Sequence, residues 1–81
     1  MSTFEKALGF FLTDPPPKQA RYRDAETVLV GIGYRLVRTQ GSHHHFTNVN
    51  GQRITMAVHN GKIEAATVKD VSRAIRRWNS E

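Results

Sequence analysis

The sequence predicts an α+β domain, in which two helices precede three antiparallel strands and a last helix follows them, in the order α-α-β-β-β-α. Three observations carry this. Apolar residues recur at three- and four-residue spacing over residues 2–13, 23–32 and 68–78. Between the second and third of these stretches the period falls to two, the spacing of a strand. The pairs Gln40-Gly41, Asn50-Gly51 and Asn60-Gly61 divide the alternating region with turn signals.

In the first helix, Phe4, Ala7, Leu8, Phe11 and Leu12 share one face, and Ser2 with Glu5 forms a capping-box pattern. Asp14-Pro15-Pro16-Pro17 ends it, because proline donates no backbone hydrogen bond and drives its predecessor out of helical geometry. The proline run reads as a stiff connector. The apolar stretch Leu8 to Leu12 has no small-residue cleavage site after it, so it does not read as a signal peptide. The chain therefore divides into residues 1–17, a leading helix and connector, and residues 18–81, the main domain. A small core gains from added apolar burial, so the leading helix is expected to pack on its own domain.

The second helix places Ala25, Val28, Leu29 and Ile32 on a buried face, with Asp24 and Glu26 near its positive end and Gly33 as its stop. Strands follow at 34–39, 42–48 and 52–58. The facing of the first is undecided by its pattern. Asn50-Gly51 is a hairpin signal because both residues tolerate positive φ. Thr67 with Asp70 gives a capping-box-like start to the last helix. Val68, Val71, Ile75 and Trp78 form its apolar face, and Lys69, Arg73, Arg76 and Arg77 form a basic stripe.

Twelve Lys and Arg against seven Asp and Glu give the 81-residue chain a net charge of +5 and a pI near 10.3. Such charge favours phosphate backbones through counterion release, or an acidic protein partner. The chain has no cysteine, which excludes disulfides and thiolate zinc sites. No segment approaches the roughly 20 apolar residues that span a bilayer. A cytoplasmic protein without a membrane role is expected. The α-β-β-β-α part has the order of double-stranded-RNA-binding domains, although order alone does not fix function.

Ser42-His43-His44-His45-Phe46 is the most unusual feature. Neighbours on a strand point to opposite faces. If Phe46 enters the core, His44 shares its face, and His43 and His45 share the other. Three readings compete. Each His can be a packed, hydrogen-bonded polar residue, and for His44 this is the default. His43 and His45 can chelate a divalent ion with His59, but the run lacks familiar zinc spacing and a carboxylate companion, so no metal site is assigned. The third reading is catalysis. Histidine takes and gives protons near neutral pH. RNA carries its own nucleophile in the 2′-hydroxyl, so a base beside it and cations around the phosphate suffice, without metal or cofactor.

The stretch from Gly33 to Phe46, with Gly33-Tyr34, a short strand carrying Arg38, and Gly41-Ser42-His43-His44, resembles the HicA toxin family. A third strand at Ile54 to Val58, His59 just beyond it and the helix from Thr67 to Trp78 extend the resemblance over residues 23 to 78. Where family members often carry proline near the end of the third strand, this chain has Ala57-Val58. The resemblance implies a double-stranded-RNA-binding-like fold and an endoribonuclease toxin that cleaves messenger RNA. It also implies inhibition by, and assembly with, a HicB-type antitoxin. It assigns catalysis to the His directly after Gly-Ser, here His43, with His45 as candidate helper. Candidate RNA contacts are Arg38, Ser42, Arg53, Lys62, Lys69 and Arg73. Two other readings stand beside this one: a non-catalytic RNA-binding module, and a decayed toxin that only binds an acidic antitoxin-like protein.

Overall fold

The computed structural model describes residues 3–80. The expected cap at Ser2 lies outside the described residues. The fold is α+β, with three helices and a three-stranded antiparallel sheet. The elements run α1 (Thr3–Phe11), β1 (Gln19–Arg21), α2 (Tyr22–Gly31), β2 (Arg35–Gln40), β3 (His43–Thr47), β4 (Arg53–Ala57), β5 (Lys62–Glu64) and α3 (Ala65–Ser80).

The three-stranded sheet has the order β2-β3-β4, so the histidine run lies in the central strand. Phe46, Ile54 and Met56 project from one sheet face into a core shared with Val28 and Leu29 of α2 and Val68, Val71 and Ile75 of α3. The opposite face carries exposed His43, Arg53 and Thr55 and is left open to solvent. The leading helix belongs to the same core, for Ala7 and Phe11 are buried in it. Its Phe4 ring meets the Trp78 ring of α3 edge-on, with centroids 6.3 Å apart. The Phe4 ring also fills the space where a Cβ on Gly31 would stand. No helix among the described residues is long and apolar enough to cross a membrane.

A second, two-stranded sheet was not expected from the sequence. Ala20 pairs with Ile63 between β1 and β5, and both side chains enter the core while their neighbours stay exposed. Three residues are too few for a period of two to register against background. The sheet matters because it clamps the start of α2 to the start of α3. It also moves that second start: Glu64 ends β5, and Ala65 and Ala66, both strong helix formers, begin α3 directly. Thr67 is thus inside the first turn and is not the cap that its spacing with Asp70 suggests.

Gly33 ends α2 as its position indicates. It has φ +104°, the Gly33 N–H donates to the Val30 carbonyl, and the Tyr34 N–H donates to the Leu29 carbonyl. These two bonds form a Schellman motif. The second hairpin differs from the expected tight turn. Only Gly51 of the Asn50-Gly51 pair has positive φ. The loop is organised by Asn48, whose side-chain oxygen accepts from the backbone N–H groups of Asn50 and Gln52 at 3.1 and 2.9 Å. Asn60-Gly61, with φ +54° and +74°, is the true two-residue turn with both φ values positive.

Candidate functional site

The first hairpin places the histidines. Gln40 faces His43 across a two-residue turn in which Gly41 has φ +56° and Ser42 does not share the positive φ, the pattern of a type II′ hairpin. Only glycine takes that first position without strain. The Val58 N–H then donates to the Ser42 carbonyl at 2.8 Å, tying the turn to the end of β4.

Strict alternation along β2 would put Leu36 and Arg38 on one face. A bulge between them prevents this. Leu36 pairs with Phe46, but Arg38 pairs with His45, so Val37 is the extra residue. Cross-strand partners point the same way, so Leu36 is turned towards the helices and Arg38 stands on the open face beside His45. The bulge therefore moves a guanidinium from the core side of the sheet to its solvent side. The period-two pattern could not reveal it.

The three histidines have different surroundings. The His44 ring lies on the helix side, against Tyr22 of α2 with centroids 4.6 Å apart. Its Nδ1 lies 3.4 Å from the Ser42 carbonyl, a long contact. The Tyr22 hydroxyl donates to Glu26 at 3.0 Å. Burial, then the Glu26 hydrogen bond and charge, push the Tyr22 phenol above the usual tyrosine range. His44 is thus a packing residue, as its facing indicates.

His45 is on the open face and both ring nitrogens are engaged. Nε2 lies 3.2 Å from the Gln40 side-chain oxygen, and Nδ1 lies 3.0 Å from the Thr55 hydroxyl. Arg38 donates to that same Gln40 oxygen at 3.1 Å. An amide oxygen only accepts, so Nε2 of His45 carries its hydrogen. The Thr55 hydroxyl can donate or accept, so the network accommodates His45 in either its neutral or its charged form. Gln40 and Thr55 are the residues that sequence reasoning missed. Their only signal was their position opposite the histidines in a paired register.

His43 is exposed and makes no side-chain hydrogen bond among the described residues. Its two cross-strand neighbours are Gln40 and the small Ala57. Both ring nitrogens are available to an incoming group. A cleft of about 410 Å³ on the same face is lined by Val37, Arg38, His45, Thr47, Arg53 and Thr55. It brings two expected cations, Arg38 and Arg53, around His45. Arg73 lies on α3 in an adjoining cleft with Arg53. Ser42 lies in the turn, half-buried. Lys62 is elsewhere, in a cleft of about 400 Å³ with Arg21, Arg23 and Asp24 at the start of α2. Lys69 is exposed on α3. His59 is exposed and forms a bridge with Lys62 beyond the end of β4. Among the described residues no group of three or more His, Cys, Asp or Glu side chains is arranged to hold a metal ion.

Tyr22 gives a test of this packing in solution. A phenol whose ionisation is raised by folding keeps its proton when the unfolded chain has lost it. Its contribution to stability is full below the usual tyrosine range, near pH 10, and is lost as the pH rises above it. Denaturant titrations between pH 8 and 11 should show a steeper alkaline loss of stability in the wild type than in Tyr22→Phe. Parallel profiles would show that the phenol is no more buried in the folded chain than in the unfolded one.

A family model described as HicA toxin of bacterial toxin-antitoxin matches residues 22–76, from the first residue of α2 into α3. Comparison with curated proteins and with solved structures gives no match.

Proposed function

Because the chain belongs to the HicA toxin family of bacterial toxin–antitoxin systems, we propose that it is a cytoplasmic endoribonuclease that cleaves messenger RNA with His43 as its acid–base residue. The observation that carries this reading is the contrast within the histidine run. His44 is packed, His45 is bound at both nitrogens, and His43 stands exposed and unengaged on a cationic, open sheet face.

The chemistry needs no metal or cofactor. His43 takes the proton of a ribose 2′-hydroxyl. The 2′-oxygen forms a bond to the adjacent phosphorus, and the bond from phosphorus to the 5′-oxygen breaks. The departing 5′-oxygen takes up a proton, for which His45 is the candidate source. The products are a 2′,3′-cyclic phosphate and a free 5′-hydroxyl. Negative charge accumulates on the phosphoryl oxygens during this exchange, and Arg38 and Arg53 supply the opposing charge. Gln40 holds Arg38 and His45 together, so these groups are positioned before substrate arrives.

An antitoxin of the HicB type has a clear way to silence such a site. The open face is cationic and needs only an acidic surface laid over it. Charge complementarity of this kind speeds encounter and suppresses wrong partners.

The test is induced expression of wild type and His43→Ala side by side, with growth and total RNA followed together. Growth arrest with RNA loss in the wild type alone is expected. Arrest and RNA loss with both would move the chemistry to another residue. No effect from either folded protein would favour a non-catalytic RNA-binding module or a decayed toxin.

A further inference from the structure

Arg53 lines two clefts. The first is the open-face cleft around His45. The second, about 340 Å³, lies beyond β4 against α3 and is lined by Arg53, Ile54, Thr55, Asp70, Arg73 and Arg77. β4 is an edge strand of its sheet, and Arg53 and Thr55 line both clefts. Three guanidinium groups meet one carboxylate in the second cleft. Arg73 is held by Asp70 at 3.1 Å, with the Arg73 side chain largely and the Asp70 side chain partly exposed. The guanidinium groups of Arg53 and Arg77 have no hydrogen-bond or ion-pair partner among the described residues. Of the residues that line this cleft, Asp70, Arg73 and Arg77 have no part in the reaction at His43.

We propose that the cleft between β4 and α3 is a second phosphodiester subsite, in which Arg53, Arg73 and Arg77 bind the RNA backbone as it continues round the β4 edge from the His43 face. This rests on the ribonuclease reading above. The geometry also selects the kind of RNA. Neighbouring strands in a sheet are only about 4.8 Å apart, so a chain passing round the edge must turn within very few nucleotides. A single strand makes that turn. A duplex, stiff over roughly 50 nm in the case of DNA, does not. The subsite therefore takes unpaired RNA, although the order of the fold's elements is that of duplex binders. Asp70 works against this binding. It repels the phosphate and competes with it for Arg73.

The experiment measures binding, so that it does not depend on cleavage. The His43→Ala protein is titrated with an unpaired oligoribonucleotide and with a perfectly paired RNA duplex of the same length, across a range of salt. Each phosphate contact to a single strand adds about 0.7 to the slope of log affinity against log salt. Adding Arg73→Gln and Arg77→Gln should make that slope shallower by about 1.4. At 0.1 M salt it should weaken the unpaired RNA on the order of 20-fold. Lys6→Gln with Lys18→Gln, which removes the same charge from exposed sites elsewhere, should leave the slope unchanged. Asp70→Asn should tighten binding about two- to fivefold, the range expected for an exposed ion pair. Duplex binding should be insensitive to the two arginines. An unchanged slope in the arginine variant, or an equal change in the lysine control, overturns the subsite while the ribonuclease reading stands. Equal loss with duplex overturns the assignment to unpaired RNA. If His43→Ala binds neither RNA and the wild type cleaves none, the ribonuclease reading fails and the subsite falls with it.

Discussion

Purified His43→Ala protein should cleave RNA about 10²- to 10⁴-fold more slowly than the wild type, the usual range for loss of a general acid or base. Each factor of ten is about 1.4 kcal/mol of transition-state stabilisation, so the loss amounts to roughly 3–5 kcal/mol. The same substitution should barely change stability. His43 is exposed and its side chain bonds to nothing among the described residues. Surface changes of this kind usually fall within about 0.5 kcal/mol. A kinetic collapse in a protein with an unchanged melting curve separates chemistry from folding. Both should be measured on one preparation, with cleavage followed on a labelled oligoribonucleotide. A rate within threefold of wild type would remove His43 from the reaction. A matching loss of stability would make its role structural.

That separation is possible because the three adjacent histidines have three different surroundings, of which only the facing was legible in the sequence. Alternation alone sets His44 with Phe46 on the core side and His43 with His45 on the other. The register bears this out, since Phe46 is 1 % exposed and His44 packs on Tyr22. Alternation could not separate His43 from His45. The difference lies across the strands, in Gln40 and Thr55, which engage His45 and leave His43 free. Those contacts depend on register, and register depends on turn geometry and on a bulge at Val37. Neither is written in the period of one strand.

The helices were legible for the opposite reason. A face repeated over three turns is a long signal, and α2 and α3 bury the residues that their spacing marked, with Trp78 at the margin, 38 % exposed. The strands β1 and β5 carry one buried residue each, Ala20 and Ile63, and no pattern can be read from one residue. Their pairing is a long-range event that only the folded topology reveals. The misplaced start of α3 follows from the same omission, because the strand hidden before it supplies the boundary that Thr67 was expected to supply.

The leading helix carries the largest expected effect on stability. Phe11 has no exposed surface and lies in the one core cluster with residues of α2 and α3. Replacing a buried Phe by Ala costs about 3–5 kcal/mol, from lost burial and from the cavity left behind. A domain of this length has about 4–12 kcal/mol of stability in total. Phe11→Ala should therefore lower the melting temperature on the order of 20 °C and leave a measurable unfolded fraction at 37 °C. Phe10, its neighbour, is 42 % exposed and should cost far less when truncated, although the two rings touch edge-on. The comparison matters because the family match begins only at residue 22, after this helix. If Phe11→Ala melts like Phe10→Ala, the helix is not part of the folded core in solution and its apolar face is free for a partner. If Phe11→Ala alone collapses the domain, α1 is a structural part of this toxin. The small core then depends on a helix outside the matched region, and deleting residues 1–17 should unfold the protein without touching a single residue of the site.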